Sequence, residues 1–208
     1  MLYMFDGHNL FLDADATFGK YLGLKEFLDH WWKRLIVVGM ECAHDNRNRC
    51  WTLAHNGTLF NGALTDAFES EQQGQTDSER ILLYLIHSIN MQQDALGHPL
   101  LPVERFPLIE GEVQRLAQGN KLNLLFWDSE YLYVHSNYAN TLHFKVLDNN
   151  GIMFSTHPLS DGGWQPLPFR RLLVYQAGQE VYRGQLISQE YFDPEEFYEY
   201  KNVDFASL

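Results

Sequence analysis

Cys50-Trp51-Thr52-Leu53-Ala54-His55-Asn56-Gly57-Thr58, followed by Thr76-Asp77-Ser78-Glu79, is the pair of segments on which the reading of this chain turns. The apolar run Cys50 to Ala54 predicts a strand that ends in a Gly-containing turn, since Asn-Gly is a favoured turn dipeptide between strands. Thr76 predicts a helix N-cap, and Glu79 three positions later predicts a capping box. Ile81, Leu82, Leu85, Ile86 and Ile89 continue that helix as a core-facing stripe. A strand end and a helix start that both present polar groups can meet at one polar site. The geometric expectation is that the Asn56 amide, the Gly57 backbone and the Asp77 carboxylate converge on one cavity.

Upstream, Leu2 to Phe5 predicts a strand, and Asp6-Gly7 a turn that returns Asn9 to Asp13 as the second arm of a hairpin. Leu24, Phe27, Leu28, Trp31 and Trp32 lie on one helical face. Arg34 to Met40 holds a short apolar run that suits a buried strand. Downstream, a helix is predicted around Ile109 to Ala117. Strands follow at Leu122 to Trp127, Tyr131 to His135, Leu142 to Val146 and Ile152 to Ser155, separated by Asp-Ser, Asn and Asn-Asn-Gly turn signals. Leu172 to Tyr175 and Val181 to Tyr182 flank Ala177-Gly178 as a last hairpin, and Asp193-Pro194-Glu195-Glu196 predicts a short C-terminal helix. Strands, then helices, then strands predict an α+β layered domain with largely antiparallel sheets.

The chain has 208 residues, enough to bury one full core, and a formal net charge of −12. That balance argues against binding phosphate backbones, which needs clustered Lys and Arg. No apolar run approaches a membrane span, and the start lacks the pattern of a signal peptide. Two cysteines without a secretory signal predict free thiols and a cytoplasmic setting. The expectation is therefore no nucleic acid and no membrane.

The order His55-Asn56-Gly57-Thr58, then Thr76-Asp77-Ser78-Glu79, resembles the class II glutamine amidotransferases, which are N-terminal-nucleophile hydrolases. Leu122-Asn123-Leu124-Leu125-Phe126-Trp127-Asp128 with Tyr131-Leu132-Tyr133 is similar to the N-x-L-L-x-x-D-G hairpin of bacterial stand-alone members. Ser155-Thr156-His157-Pro158-Leu159 with Trp164 and Pro166-Leu167-Pro168 is similar to their late strand and turn. The resemblance runs from about Leu2 to Gly184. It implies one type-2 amidotransferase-like domain over 1–208, with about 185–208 as an acidic, aromatic C-terminal extension. The implied fold is a four-layer αββα sandwich, here N-terminally incomplete.

The implied reaction hydrolyses the side-chain amide of glutamine to glutamate and ammonia through a thioester. Fixed donors aimed at the developing oxyanion lower such a barrier, and losing one typically costs about 3–4 kcal/mol. By resemblance, Asn56 and Gly57 are the oxyanion hole, Asp77 binds the α-amino group of glutamine or a related γ-glutamyl amide, and His55 shapes the turn beside it. Thr76, Ser78 and Glu79 are a capping frame. No cofactor is implied, and a separate ammonia-accepting synthase is a partner the resemblance allows.

Two departures bear on activity. The family nucleophile is an N-terminal cysteine whose own α-amino group is the base, whereas this chain begins Met1-Leu2 and Cys42 and Cys50 are interior. The expectation is that the chain as written is inactive alone, as an incomplete enzyme or as a non-catalytic binding or regulatory module that keeps the fold. The family also clamps the substrate carboxylate with an Arg. Here Cys42 or Trp32 falls at that position, depending on alignment, and Arg47 or Arg49 is left as a loop candidate. A rival reading, zinc held by Cys42, His44, Cys50 and His55, fits no common ligand spacing, so no metal site is expected.

Overall fold

The computed structural model describes residues 2–5, 37–40, 43–44, 50–147 and 151–192. Strands β1 (Leu2–Phe5) and β2 (Val37–Met40) pair in parallel. The predicted strand at Leu2 thus has a parallel partner; the second hairpin arm, Asn9 to Asp13, lies outside the described residues. So do the Leu24–Trp32 stripe, Cys42, Arg47, Arg49 and the Asp193–Glu196 helix start.

The body of the fold is a six-stranded antiparallel sheet. Its strands are β3 (Ala43–His44), β4 (Cys50–Thr58), β5 (Lys121–Trp127), β6 (Leu132–Ser136), β10 (Leu172–Gln176) and β11 (Gln179–Arg183), in spatial order β11-β10-β6-β5-β4-β3. Helices α1 (Asp77–Leu96) and α2 (Pro102–Leu116) separate β4 from β5. A smaller sheet, order β8-β7-β9, is made by β7 (His143–Val146), β8 (Ile152–Ser155) and β9 (Gln165–Pro166).

Period-two alternation sorts the strand residues onto two faces. Trp51 and Leu53 of β4, Leu122, Leu124 and Phe126 of β5, Tyr133 of β6, and Leu172 and Val174 of β10 join one core. They pack on Ile81, Leu85 and Ile89 of α1 and Ile109, Val113 and Leu116 of α2. The intervening residues Leu125, Leu132, Val134, Leu173 and Tyr175 form a second core with Leu142, Phe144, Ile152, Phe154 and Leu167. Helices therefore cover one face of the large sheet and the small sheet covers the other. These are three layers of mixed helix and strand, with two sheets stacked face to face. Among the described residues no helix is long and apolar enough to cross a membrane.

Three expectations change. Asn56 and Gly57 are not a turn. β4 runs through them to Thr58 in unbroken register, with Asn56 opposite Asn123, Gly57 opposite Leu122 and Thr58 opposite Lys121. Glycine is needed at 57 for room, since a Cβ there would overlap the Lys121 carbonyl oxygen and crowd the His55 ring. The capping box is half made. Thr76 Oγ1 accepts from Glu79 N at 3.3 Å. The Glu79 carboxylate instead reaches into the preceding loop, accepting from Gln73 N at 2.6 Å and Gly74 N at 2.7 Å. Finally, α2 starts at Pro102, well before Ile109. Proline suits the first helical turn, and Glu104 Oε2 accepts the orphan Leu101 N at 2.8 Å.

Candidate functional site

The two motif segments meet at the end of β4. Odd-numbered residues of β4 face the helices, so His55 points at the start of α1. Its side chain is 1% exposed, and its Nδ1 lies 3.7 Å from Asp77 Oδ1 and 3.3 Å from Ser78 Oγ. Its Nε2 lies 3.4 Å from the carbonyl oxygen of Lys121. A carbonyl only accepts, so Nε2 carries a proton. In the neutral ring Nδ1 then accepts from the Ser78 hydroxyl; in the cation it faces the Asp77 carboxylate as an ion pair.

Asp77 is bound from the other side as well. Its Oδ2 accepts from Leu59 N at 3.1 Å, and Ser78 Oγ lies 3.4 Å from Oδ1. The hydrogen bond from His55, joined by the Leu59 amide, holds this carboxyl down at about 2, against the opposing effect of burial. The first turn of α1 favours the same ionised form through the unpaired amides of a helix N-terminus. Asp77 is therefore a fixed carboxylate whose side chain is 29% exposed.

Asn56 sits on the other face of the strand. It lines a small cavity between the two sheets with Ala54, Leu125, Leu142, Phe154 and Thr156. Asn123 Nδ2 lies 3.5 Å from Asn56 Oδ1. Asn123 is itself tied down, with Ser136 Oγ donating to its Oδ1 at 2.6 Å and its Nδ2 donating to Thr141 O at 3.2 Å. The structure thus brings His55 and Asp77 together and turns the Asn56 side chain to the opposite face, as consecutive strand residues require. Gly57 lies between these directions, under the Lys121 carbonyl.

Sequence reasoning assigned no part to Ser78 beyond capping and none to Asn123 or Lys121. Asn123 carried a signal: an amide inside the apolar run Leu122 to Phe126, where a buried polar group must find partners. Lys121 carried none, because it is the backbone oxygen that matters. Its ammonium lies 4.3 Å from the Tyr138 ring centre and 5.7 Å from that of Tyr191. Tyr191 in turn stacks on Phe60 at 5.8 Å and donates its backbone N–H to Asn137 O at 2.8 Å. Residues beyond the last strand are thereby laid along the outer end of β4 and β5.

A second polar centre holds the far end of the sheet. Arg105 of α2, 3% exposed, donates to Asp128 Oδ2 at 2.8 Å and to Leu100 O at 2.8 Å. Tyr133 Oη donates to the same Asp128 oxygen at 2.8 Å. Asp128 Oδ1 closes the β5–β6 turn by accepting from Glu130 N at 3.0 Å and Tyr131 N at 2.8 Å. Ser129 within that turn has φ +77, the backbone region that glycine enters freely. This centre is structural.

No group of three or more His, Cys, Asp or Glu able to hold a metal occurs among the described residues.

Residues 43–147 match the family model of the class-II glutamine amidotransferases. An uncharacterized protein of Methanocaldococcus jannaschii is 23% identical over 161 residues, covering 65% of this chain and 44% of that protein. The chain thus spans less than half the length of this curated relative. Among solved structures, a predicted glutamine amidotransferase from Pseudomonas aeruginosa superposes with a TM-score of 0.54 at 19% identity, over 66% of this chain and 62% of that one. A glutamine aminotransferase class-II domain protein from Silicibacter pomeroyi gives 0.43 at 22% identity, over 66% and 68%. The first of these is a likeness of fold.

Proposed function

The chain belongs to the class II glutamine amidotransferases, and on that premise we propose that the β4–α1 junction is its glutamine site. In this reading the ligand reaches round the end of β4: on the helix side Asp77, held by His55, receives the α-amino group of glutamine or a related γ-glutamyl amide, and on the inter-sheet side Asn56 with the Gly57 backbone faces the oxyanion of the attacked side-chain amide. The observation that carries this reading is the contact between the two motif segments, in which Asp77 accepts from Leu59 N and pairs with His55. A carboxylate held ionised by fixed neighbours suits an ammonium ligand, and charge-assisted hydrogen bonds of that kind are the strong ones.

The reaction proposed is the family one, glutamine to glutamate and ammonia, with the four-layer αββα arrangement as the complete architecture. The ammonia acceptor would be a separate synthase. A second reading is a module that binds glutamine without turning it over.

Calorimetric titration with L-glutamine and an ammonia-release assay on the purified chain test both. Expected is glutamine binding that weakens at least tenfold in Asp77→Asn. Release of ammonia in proportion to protein selects the enzyme; binding without release selects the module. No binding at millimolar glutamine together with no release overturns the site.

A further inference from the structure

We infer that Asn123 is a positioning residue that turns the amide of Asn56 so that its NH2 group points into the cavity between the sheets. The inference rests on the glutamine-site reading only for what that NH2 group then meets. It is carried by donor and acceptor chemistry along one chain of contacts.

Thr141 O is a carbonyl and can only accept, so the Asn123 atom 3.2 Å from it is the amide nitrogen. Thr141 Oγ1 gives its one proton to Tyr138 O at 2.8 Å and so accepts from the same Asn123 nitrogen at 3.0 Å, while Asn123 Oδ1 faces the Ser136 hydroxyl at 2.6 Å; both agree with that assignment. Asn123 is 1% exposed and held from both ends, so its orientation is set independently of Asn56. The nitrogen so fixed also confronts Asn56 at 3.5 Å. Only an oxygen of Asn56 is compatible with it, because two NH2 groups would meet donor to donor. Once the Asn56 oxygen is directed at β5, its nitrogen is directed away, toward the cavity walled by Leu142, Phe154 and Thr156.

The consequence is chemical. An amide that offered its oxygen to the cavity would repel an oxyanion. One that offers NH2 is a donor with its direction already set, which is the condition under which such a group stabilises developing negative charge. Ser136 and Thr141 come from β6 and from the segment leading into β7. The relay therefore ties the donor on β4 to both stacked sheets.

The test reads the orientation directly. In protein labelled with 15N-asparagine, the Asn56 side-chain NH2 signals are identified by their loss in Asn56→Asp. Their protons should show cross-relaxation with Leu142 and Phe154. In Asn123→Asp, residue 123 presents an acceptor of the same shape, so the Asn56 amide should turn over and those cross-peaks be lost. Thr141→Val, a milder change that keeps the carbonyl, should weaken them, and Thr141→Ser should leave them as they were. Cross-peaks unchanged in both Asn123→Asp and Thr141→Val, or already absent from the unaltered protein, overturn the inference. If Asn123→Asp does not fold, the Thr141 pair decides. Adding L-glutamine to the unaltered protein separates the two claims. Orientation as expected with no shift of the Asn56 signals supports the relay and counts against the glutamine site; a shift supports both.

Discussion

The two faces of the six-stranded sheet use polar groups differently. The helix-covered face carries charge: Arg105 with Asp128 at one end, His55 with Asp77 at the other, both at strand termini. The face between the sheets carries neutral groups only in its polar patch, Asn56, Asn123, Ser136 and Thr141. Helix ends supply capping amides and reach solvent at their margins, so a carboxylate can stay ionised there. Between two sheets there is no such margin, and amides and hydroxyls that satisfy one another are the affordable polarity. β4 serves both faces from adjacent residues, which is how one strand end can offer a charge and a neutral donor together.

The largest expected effect is at the charged end. Asp128→Ala leaves the buried Arg105 guanidinium with only the half-exposed Glu130 carboxylate at 3.5 Å as counter-ion, and opens the β5–β6 turn. The expected loss is about 3–5 kcal/mol by urea unfolding. Ser136→Ala on the other face removes only neutral contacts, to Asn123 Oδ1 and Tyr138 O, and should cost about 1 kcal/mol. Equal costs would break the contrast between the faces.

His135 of β6 sharpens it by pH. Its Nδ1 lies 3.2 Å from Arg171 O, so the proton sits on Nδ1, and the buried Nε2 has no partner among the described residues. Burial pushes this imidazole down to about 4. Between about 4 and the ordinary value of 6.5 the unfolded chain binds the proton and the folded chain does not, so stability falls as pH falls through that window. On the order of 3 kcal/mol should be lost between pH 7 and pH 4. His135→Leu should flatten that part of the stability curve; an unchanged slope would place the titration elsewhere.

Gly57→Ala sets a side chain against a backbone oxygen that β4–β5 pairing holds in place. Roughly 1–3 kcal/mol of destabilisation is expected, with faster hydrogen exchange at Leu122 as the local sign. The smallest effect is at the His55–Asp77 pair. His55→Leu removes the first cause of the low Asp77 value, so a carbon-detected titration should find that carboxyl moved up from about 2 toward the ordinary carboxylate range. Stability contributed by Asp77 is present above the ordinary range and lost as pH falls toward 2. In His55→Leu the window in which that stability is lost should narrow and the loss become smaller.

Much of this was legible beforehand. The strands after residue 120 lie close to where alternation and turn residues put them, because each is half buried on two faces and bounded by polar turns. The α1 stripe was legible for the same reason. The Asn-Gly turn was not. That dipeptide favours turns by tolerating positive φ, yet at 57 the demand is for space beside Lys121, which no local pattern encodes. The early start of α2 was hidden by Pro107, normally a helix breaker. At the site, the juxtaposition of Asp77 with β4 was anticipated. The opposed directions of His55 and Asn56 were missed because a turn, unlike a strand, does not alternate. Asn123 and Ser78 act through partners far along the chain, and a single sequence does not record such pairings.

Lys121 joins what happens inside the molecule to what lies on its surface. Its carbonyl receives the His55 ring while its ammonium rests on the rings of Tyr138 and Tyr191. One residue thus couples the His55–Asp77 pair to the tail that follows β11. Cutting the polypeptide after Arg183, or fusing a tag close behind Phe192, is therefore not a neutral act of engineering in this protein. It removes or disturbs the aromatic support of the lysine whose backbone buttresses the histidine.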